Sequence, residues 1–198
     1  MDFPRPLPDL GRALSHLMEP IKRDLDAQGR SAIAEAETLW IWLVPLGVAL
    51  CAFALIWPLS VARRDASLVD LVWGPGFLVQ LATVALLASS LTGRGWLLLG
   101  LVGAWSIRLG VTLGLRRWRE GHEDPRYTAV RDSWGPAFWW KSFFIVFVLQ
   151  AVLQWTISLG PISGLLASAS ALGPFAVIGA IVALSGLLME SIADHQLD

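Results

Sequence analysis

Long apolar stretches without a single aspartate, glutamate, lysine or arginine dominate the pattern of this chain. They cover residues 38–62, 71–93 and 142–189. A helix needs about 20 apolar residues to cross the hydrocarbon of a bilayer. The first two stretches therefore predict one transmembrane helix each, and the third predicts two helices joined by a turn. Residues 95–115 predict a fifth helix, which carries a single charge, Arg108.

The stretches are continuously apolar and lack the period-two alternation of a lipid-facing strand. We therefore expect an all-α fold, an integral membrane bundle of about five transmembrane helices. Composition agrees, because 55% of the residues are hydrophobic and only 16% are charged, against about 25% charged in soluble domains. Tryptophan favours the headgroup region, and several tryptophans lie near the predicted helix ends: Trp40, Trp57, Trp96, Trp139 and Trp140.

Arginine and lysine are distributed unevenly between the two sides of the membrane that these helices define. The side richer in these residues usually faces the cytoplasm, so the count predicts an outer N-terminus and a cytoplasmic C-terminus. The richer side holds Arg63, Arg64, Arg116, Arg117, Arg119, Arg126, Arg131 and Lys141, and the other side holds Lys22, Arg23, Arg30 and Arg94.

Residues 1–38 are predicted to be an extracytoplasmic tail, followed by a transmembrane domain of residues 39–198. Leucine and isoleucine recur in the tail at helical spacing from Leu7 to Leu25. A short amphipathic helix on the membrane surface, interrupted at Pro20, is one expectation, and disorder is the other. The tail has no apolar core before a small-residue cleavage site, so we do not expect a signal peptide.

Several kinds of partner and site are not expected from the sequence. The net charge is −1 and there is no basic stripe, which argues against a nucleic-acid partner. The three histidines are scattered without zinc-like spacing, so no metal site is predicted. No glycine-rich strand-turn-helix signature indicates a Rossmann nucleotide site. The single cysteine, Cys51, cannot form an intrachain disulfide.

Charged groups at membrane depth are costly, so each needs a partner or a route to the interface. Arg108 lies about two turns before the predicted cytoplasmic end of its helix. It either extends to the interface or binds an anion. Asp70 opens the second span, three residues after Ser67. Capping of the helix N-terminus explains either residue, and a catalytic role is the alternative for Asp70.

Two further polar groups fall on single helix faces. Gln150, Gln154 and Ser158 recur every four residues along the fourth span. Such stripes join helices in lipid, and a face toward a substrate is the alternative. Glu190 and Asp194 lie at the predicted cytoplasmic end of the fifth span, where two acids oppose the positive-inside tendency. They are either a solvated helix end or part of a functional site.

Residues 116–140 form the most informative loop. Its Asp124-Pro125 pair is typical of a helix N-cap followed by the first helical residue, and it predicts a short helix through Ser133. The arginines of this loop either bind phosphate with both arms of the guanidinium group or hold the loop to anionic headgroups.

Four parts of the chain, taken in order, resemble the bacterial DUF1295 membrane proteins of the steroid 5-alpha-reductase superfamily. They are residues 67–77 (SLVDLVWGPGF), Arg108 with its basic loop, residues 123–127 (EDPRY) and residues 190–197 (ESIADHQL). The resemblance covers roughly residues 40–198.

This resemblance implies an NADPH-dependent reduction of a carbon–carbon double bond conjugated to a carbonyl, in a lipophilic substrate within a bacterial inner membrane. It implies that NADPH enters from the cytosol and contacts Arg108, Arg116, Arg117, Glu190 and Asp194. Arginines suit the phosphates, and carboxylates accept from ribose hydroxyls or the nicotinamide amide. Membrane lipids are the other expected partner.

The sequence departs from the superfamily pattern at two points. Trp105 stands where steroid reductases have a tyrosine that polarises the substrate carbonyl, so a steroid is not the expected substrate and no proton donor is assigned. An Arg-His-Pro-Asn-Tyr-like cofactor motif would lie beyond Asp198, so we expect the chain alone to fold and bind NADPH weakly without turnover. The alternatives are an S-adenosylmethionine-dependent membrane methyltransferase and a non-catalytic truncated or accessory membrane protein.

Overall fold

The computed structural model of the chain describes residues 10–88, 90–167 and 172–197. Its residues are 92% helical, with no strand in the described part, which confirms the all-α fold. The α-helices are α1 (Leu10–Arg63), α2 (Asp70–Leu87), α3 (Gly93–Glu120), α4 (Pro125–Trp134), α5 (Phe138–Ser142), α6 (Leu149–Leu166) and α7 (Pro174–Leu197). Two 3₁₀ turns, Ala66–Val69 and Gly135–Ala137, and a π-helical segment, Phe143–Val148, lie between them.

Five helical segments are long and apolar enough to cross a membrane by length and composition, as predicted. The turn within the last apolar stretch lies before α7, because α6 continues through Pro161 and ends at Leu166. The spanning segments are Leu39–Arg63, Ala66–Leu87, Gly93–Arg119, Pro125–Leu166 and Pro174–Gln196.

Residues 1–41 and residues 42–198 form two compact units. In the first unit, helix α1 runs through Pro20 without a break. The expectation of a short helix interrupted at that proline is therefore wrong. Leu7 lies outside the described residues, and a position of the tail on the membrane surface stays a prediction.

In the second unit, α1 packs against the π-helical segment and the first 3₁₀ turn. Phe53 and Phe147 are 1% and 0% exposed there, and Val69 and Ala151 complete the contact. Between membrane-spanning segments the surrounding lipid is as apolar as the protein interior, so these side chains stabilise the contact by van der Waals packing. These two rings are therefore a main reason why α1 lies against α6.

Helices α2 and α3 approach closely because small residues face each other. A Cβ atom added at Gly74 would lie 2.7 Å from the Gly110 nitrogen and 3.0 Å from the Ser106 carbonyl oxygen. A Cβ atom at Gly110 would lie 2.9 Å from Cγ of Pro75. Small residues permit such backbone contact between membrane helices, and this contact fixes the position of α3 relative to α2.

Gln154 of α6 is fully buried and joins α6 to α2 by three hydrogen bonds. Its Nε2 group donates to the carbonyl oxygens of Val72 and Trp73, at 3.2 and 2.6 Å. Its Oε1 accepts from Nε2 of Gln80 at 2.8 Å. The prediction that the polar stripe of the fourth span joins helices is confirmed at this residue.

Candidate functional site

Arg108 of α3 faces α7 and pairs with both acids at its end. Its Nη1 lies 2.8 Å from Oε1 of Glu190, and its Nη2 contacts Oδ2 of Asp194. The arginine side chain is 17% exposed, against 38% and 32% for the two acids. Glu190 and Asp194 are four residues apart and so share one face of α7. The partner that a charge at membrane depth needs is thus supplied to Arg108 by these two acids.

Trp105 belongs to the same cluster, because it lies one turn before Arg108 on the same face of α3. Its indole Nε1 donates to Oε2 of Glu190 at 3.1 Å. The ring of Phe77 meets Trp105 edge-on at 5.2 Å between centroids, and Trp73 meets Phe77 in the same way at 5.7 Å. Phe77 is 3% exposed. Helix α2 therefore holds Trp105 in place from behind.

The charge balance of this cluster decides what it can bind. One guanidinium faces two carboxylates, so the cluster carries an excess of one negative charge. Both acids remain partly exposed, and water therefore screens the attraction. An incoming ligand can compete for Arg108 with an anionic group, and it can offer N–H or O–H donors to the acids.

A groove of about 740 Å³ leads away from this cluster between α3, α6 and α7. Trp105 and Glu190 lie at one end and Arg94 at the other. The eleven-residue interval between Arg94 and Trp105 corresponds to roughly 16 Å of helix. The walls between these ends are apolar: Leu97, Leu98, Leu101, Val102, Pro161, Phe175, Ala176, Ala180, Ala183 and Leu187, with glycines 160, 164, 179 and 186.

Small residues on two helices leave room for this groove. A Cβ atom added at Gly160, Gly179 or Gly186 would meet nothing within 4 Å. At Gly164, by contrast, a Cβ atom would lie 2.9 Å from Cδ2 of Leu98, so α6 and α3 are in close contact there. Helix α7 covers one side thinly, since none of the residues in its most apolar window is buried. The groove therefore has the dimensions and lining of a site for an extended apolar molecule.

A second polar cluster ties the loop between α3 and α4 to the turn after α1. Asp65 is 4% exposed, pairs with Arg117, and accepts from the backbone N–H of Ser67 at 3.1 Å. Arg117 also donates to the carbonyl oxygen of His122. Asp65 is thus the N-cap of the 3₁₀ turn. The explanation of Ser67 or Asp70 as the capping residue is wrong, because the cap lies earlier in the chain.

Glu123 completes this second cluster from the loop. It accepts from the Ala66 N–H at 2.6 Å, and from Arg131 at 2.6 and 3.1 Å. Burial would raise the pKa of the Glu123 carboxyl. The hydrogen bonds from Arg131 and Ala66 outweigh this effect, so the pKa is lowered. The carboxylate is therefore charged at neutral pH and holds the loop against the turn.

Asp70 lies in the first turn of α2 and contacts the loop helix α4. The Tyr127 hydroxyl donates to its Oδ1 at 2.9 Å, and Nη2 of Arg126 lies 3.6 Å from its Oδ2. Asp124 caps α4, accepting from the Arg126 N–H at 2.8 Å, and Pro125 is the first helical residue. The predicted short helix is confirmed and ends one residue later than expected.

The comparison with protein families gives one match. A family model described as a protein of unknown function (DUF1295) matches residues 56–198. The chain belongs to the DUF1295 family. No curated protein and no solved structure matches significantly.

All the polar clusters described above lie inside the DUF1295 region. The residues that the resemblance assigned to NADPH fall into two groups: Arg108, Glu190 and Asp194 are together, whereas Arg117 is paired with Asp65 in the second cluster. Arg116 lies two turns after Arg108 along α3, a rise of roughly 12 Å, and so is separate from the Arg108 cluster. In the described part, no group of three or more histidines, cysteines or acids is placed to hold a metal ion.

Sequence reasoning missed two contacts in the DUF1295 region. The Asp70–Tyr127 hydrogen bond joins residues 57 positions apart, and the Trp105–Glu190 bond joins residues 85 positions apart. No local spacing signals either contact. The usable signs in the sequence are that Tyr127 is the sole tyrosine and that Trp105 stands in a tyrosine's place.

Proposed function

We propose that the chain is a membrane-embedded reductase of the steroid 5-alpha-reductase superfamily. Its reaction would be the NADPH-dependent reduction of a carbon–carbon double bond conjugated to a carbonyl in a lipophilic molecule. The observation that carries this proposal is the polar cluster of Trp105, Arg108, Glu190 and Asp194 at one end of an apolar groove.

The groove suits the apolar part of such a substrate. Its apolar walls extend along roughly 16 Å of α3, a length that fits a molecule with a long chain or fused rings. The carbonyl group would lie at the polar end. There the Trp105 N–H and the Arg108 guanidinium, which bind the acids of α7 in the free protein, would turn to an oxygen that gains negative charge during the reaction.

The residues present fit one half of the cofactor. Glu190 and Asp194 can accept hydrogen bonds from the nicotinamide amide and a ribose hydroxyl. Arg108 can give up its contact with one of these acids and bind a phosphate oxygen instead. Arg117 would have to leave Asp65 to reach a phosphate. When bound, NADPH would supply hydride to the carbon β to the carbonyl.

Asp70 is our proposed proton-handling residue, acting through Tyr127. The hydroxyl donates to the carboxylate at 2.9 Å, and the Asp70 side chain is 30% exposed, so the pair can exchange protons with water. Asp70 precedes Phe77, the residue packed on Trp105, by seven positions or roughly 10 Å along α2. A relay therefore suits Asp70 better than direct contact with the substrate.

Direct binding is the best test, because it does not require every catalytic group to be in place. The chain is reconstituted in nanodiscs, and NADPH binding is followed by the fluorescence of its nicotinamide ring. We expect salt-sensitive binding that Arg108→Gln weakens by at least about tenfold, the value of one charge-assisted hydrogen bond. Arg63→Gln, which removes an arginine far along the chain from this cluster, is the matched control.

Substrate binding is tested in the same samples with lipophilic enones of increasing chain length. Trp105→Phe keeps an aromatic side chain and removes the N–H donor, so it should weaken binding of an enone more than binding of the saturated hydrocarbon of equal length. Absence of NADPH binding, or equal binding by the Arg108→Gln and Arg63→Gln variants, would refute the proposal. Arg108-dependent binding of S-adenosylmethionine in place of NADPH would support the methyltransferase alternative.

A further inference from the structure

A second cavity, of about 390 Å³, lies between the end of α1 and the segment from α4 to α5. Two arginines, Arg64 and Arg131, contribute to its lining, with Ser60, Pro136, Trp139 and Ser142 among the other residues. It shares no lining residue with the groove between α3, α6 and α7. The proposed reductase chemistry makes no use of this cavity.

The two arginines are differently engaged. The Nε and Nη2 groups of Arg131 donate hydrogen bonds to Glu123. Its guanidinium carbon lies 4.6 Å from the ring centre of Phe138. Its Nη1 group is left for another acceptor. Arg64 has an exposed side chain, and no acid among the described residues pairs with its guanidinium. The lining therefore carries two arginines, of which Arg131 is paired with Glu123.

The backbone at Arg64 is unusual and draws attention to its side chain. The Asp65 N–H donates to the Ser60 carbonyl at 2.9 Å, and the Arg64 N–H donates to the Val61 carbonyl at 3.2 Å. This pattern ends a helix with one residue in the left-handed region, where glycine is favoured. Arg64 occupies that position with φ of 51°. An arginine is disfavoured there by its backbone, so its presence suggests a use for the guanidinium.

The surroundings place this cavity at the level of lipid headgroups. Arg64 follows directly on the spanning segment Leu39–Arg63. Trp139 and Trp140 beside the cavity are 57% and 45% exposed, and exposed tryptophans favour the headgroup region. Lys141 adds a further positive charge near Trp134, at 4.5 Å from that ring.

We propose that this cavity binds the phosphate of an anionic phospholipid headgroup, between Arg64 and the free Nη1 group of Arg131. The guanidinium fork matches phosphate oxygens. The apolar rings at the rim would contact the first part of the acyl chains. The proposal is independent of the reductase reaction, because it uses other residues in another cavity.

The test measures lipid retention by native mass spectrometry on the full chain released from micelles that contain either phosphatidylglycerol or phosphatidylcholine. We expect the wild-type chain to retain phosphatidylglycerol preferentially, and Arg64→Gln to weaken that binding by about tenfold. Arg63→Gln removes the same charge one residue earlier and outside the cavity lining, so it should change binding by less than about twofold.

A second variant separates lost binding from lost folding. Arg64→Gly removes the guanidinium and places glycine where the backbone favours it. Its melting temperature in phosphatidylcholine should be equal to or higher than that of the wild type, whereas the extra stabilisation by phosphatidylglycerol should disappear. Equal loss of binding in the Arg63→Gln and Arg64→Gln variants, or equal retention of the two lipids by the wild type, would overturn the proposal. Stabilisation by millimolar inorganic phosphate without any by phosphatidylglycerol would also overturn it, in favour of a soluble phosphate.

Discussion

Replacing Gln154 by leucine should be among the most destabilising changes in the bundle, because this residue satisfies backbone groups in a dry interior. Its amide donates to the carbonyls of Val72 and Trp73. Pro75 lacks the N–H that the carbonyl of Leu71 would accept in a regular helix. The Gln154 amide donates to the next two carbonyls, in a turn whose hydrogen-bond ladder the proline disturbs, and neighbouring helices commonly supply donors to such turns in membrane proteins.

The magnitude follows from the number of bonds lost. Hydrogen bonds between membrane helices average about 0.6 and reach about 1.7 kcal/mol each. Gln154 makes three to α2, so Gln154→Leu should lower the free energy of unfolding by roughly 2–5 kcal/mol. Gln80→Leu should cost far less, since it removes one bond and also removes the Gln80 Oε1 atom, which is buried without a partner among the described residues.

Reversible unfolding in bicelles, followed by circular dichroism, measures both variants and the double variant. Gln150→Leu is the control, because Gln150 lies one turn from Gln154 on the same face but is only half-buried. It should change the free energy of unfolding by less than about 0.5 kcal/mol. If Gln80→Leu proved as costly as Gln154→Leu, or if Gln154→Leu matched the control, the reasoning from the backbone acceptors would be refuted.

Three further predictions rest on other contacts. Gly74→Val should destabilise the bundle by about 1–3 kcal/mol, because its Cβ would lie 2.7 Å from a backbone nitrogen of α3; Gly114→Val, with nothing within 4 Å, is the control in the same unfolding assay. The lowered pKa of Glu123 means that its contribution is complete above pH 4.5, the ordinary value, and is lost as pH falls through the lower folded value. The protection factors for hydrogen exchange of residues 121–134, corrected for the intrinsic pH dependence of exchange, should therefore fall at low pH in the wild type and be low at all pH values in Glu123→Gln; equal pH profiles would contradict this. In intact cells, a Ser133→Cys variant should be labelled only by reagents that cross the membrane, whereas a Ser15→Cys variant should also be labelled by reagents that do not. The reverse pattern would contradict the predicted topology.

The sequence was sufficient for the spanning helices and for one local cap. Apolar runs bounded by charges determine where helices can cross a membrane, so the five segments were predictable without knowledge of their neighbours. The Asp124-Pro125 pair specifies its helix start through contacts within a few residues. Arg108 and the acids of α7 were predictable as neighbours by charge complementarity, because an unpaired charge at that depth is costly.

The remaining contacts depend on how the helices pack, which no local pattern reports. Arg117 and Arg108 looked equivalent as basic residues of one helix, but they lie nine residues apart and face different clusters. Asp65 had no distinguishing motif, although it is the acid that Arg117 requires. The continuous course of α1 through Pro20 was also missed, because a proline in isolation predicts a break more often than a continuation.

Because few residues of α7 are buried, Arg108 has a structural role in addition to the chemical one that we propose for it. This helix has no buried residue in its most apolar window, and its charged contact with α3 is concentrated at the end that carries Glu190 and Asp194. An anion that binds Arg108 in place of these acids therefore also weakens the contact between α3 and α7, the helix that forms one wall of the groove. By linkage, occupancy of the polar end and opening of the groove to the surrounding lipid are thermodynamically coupled.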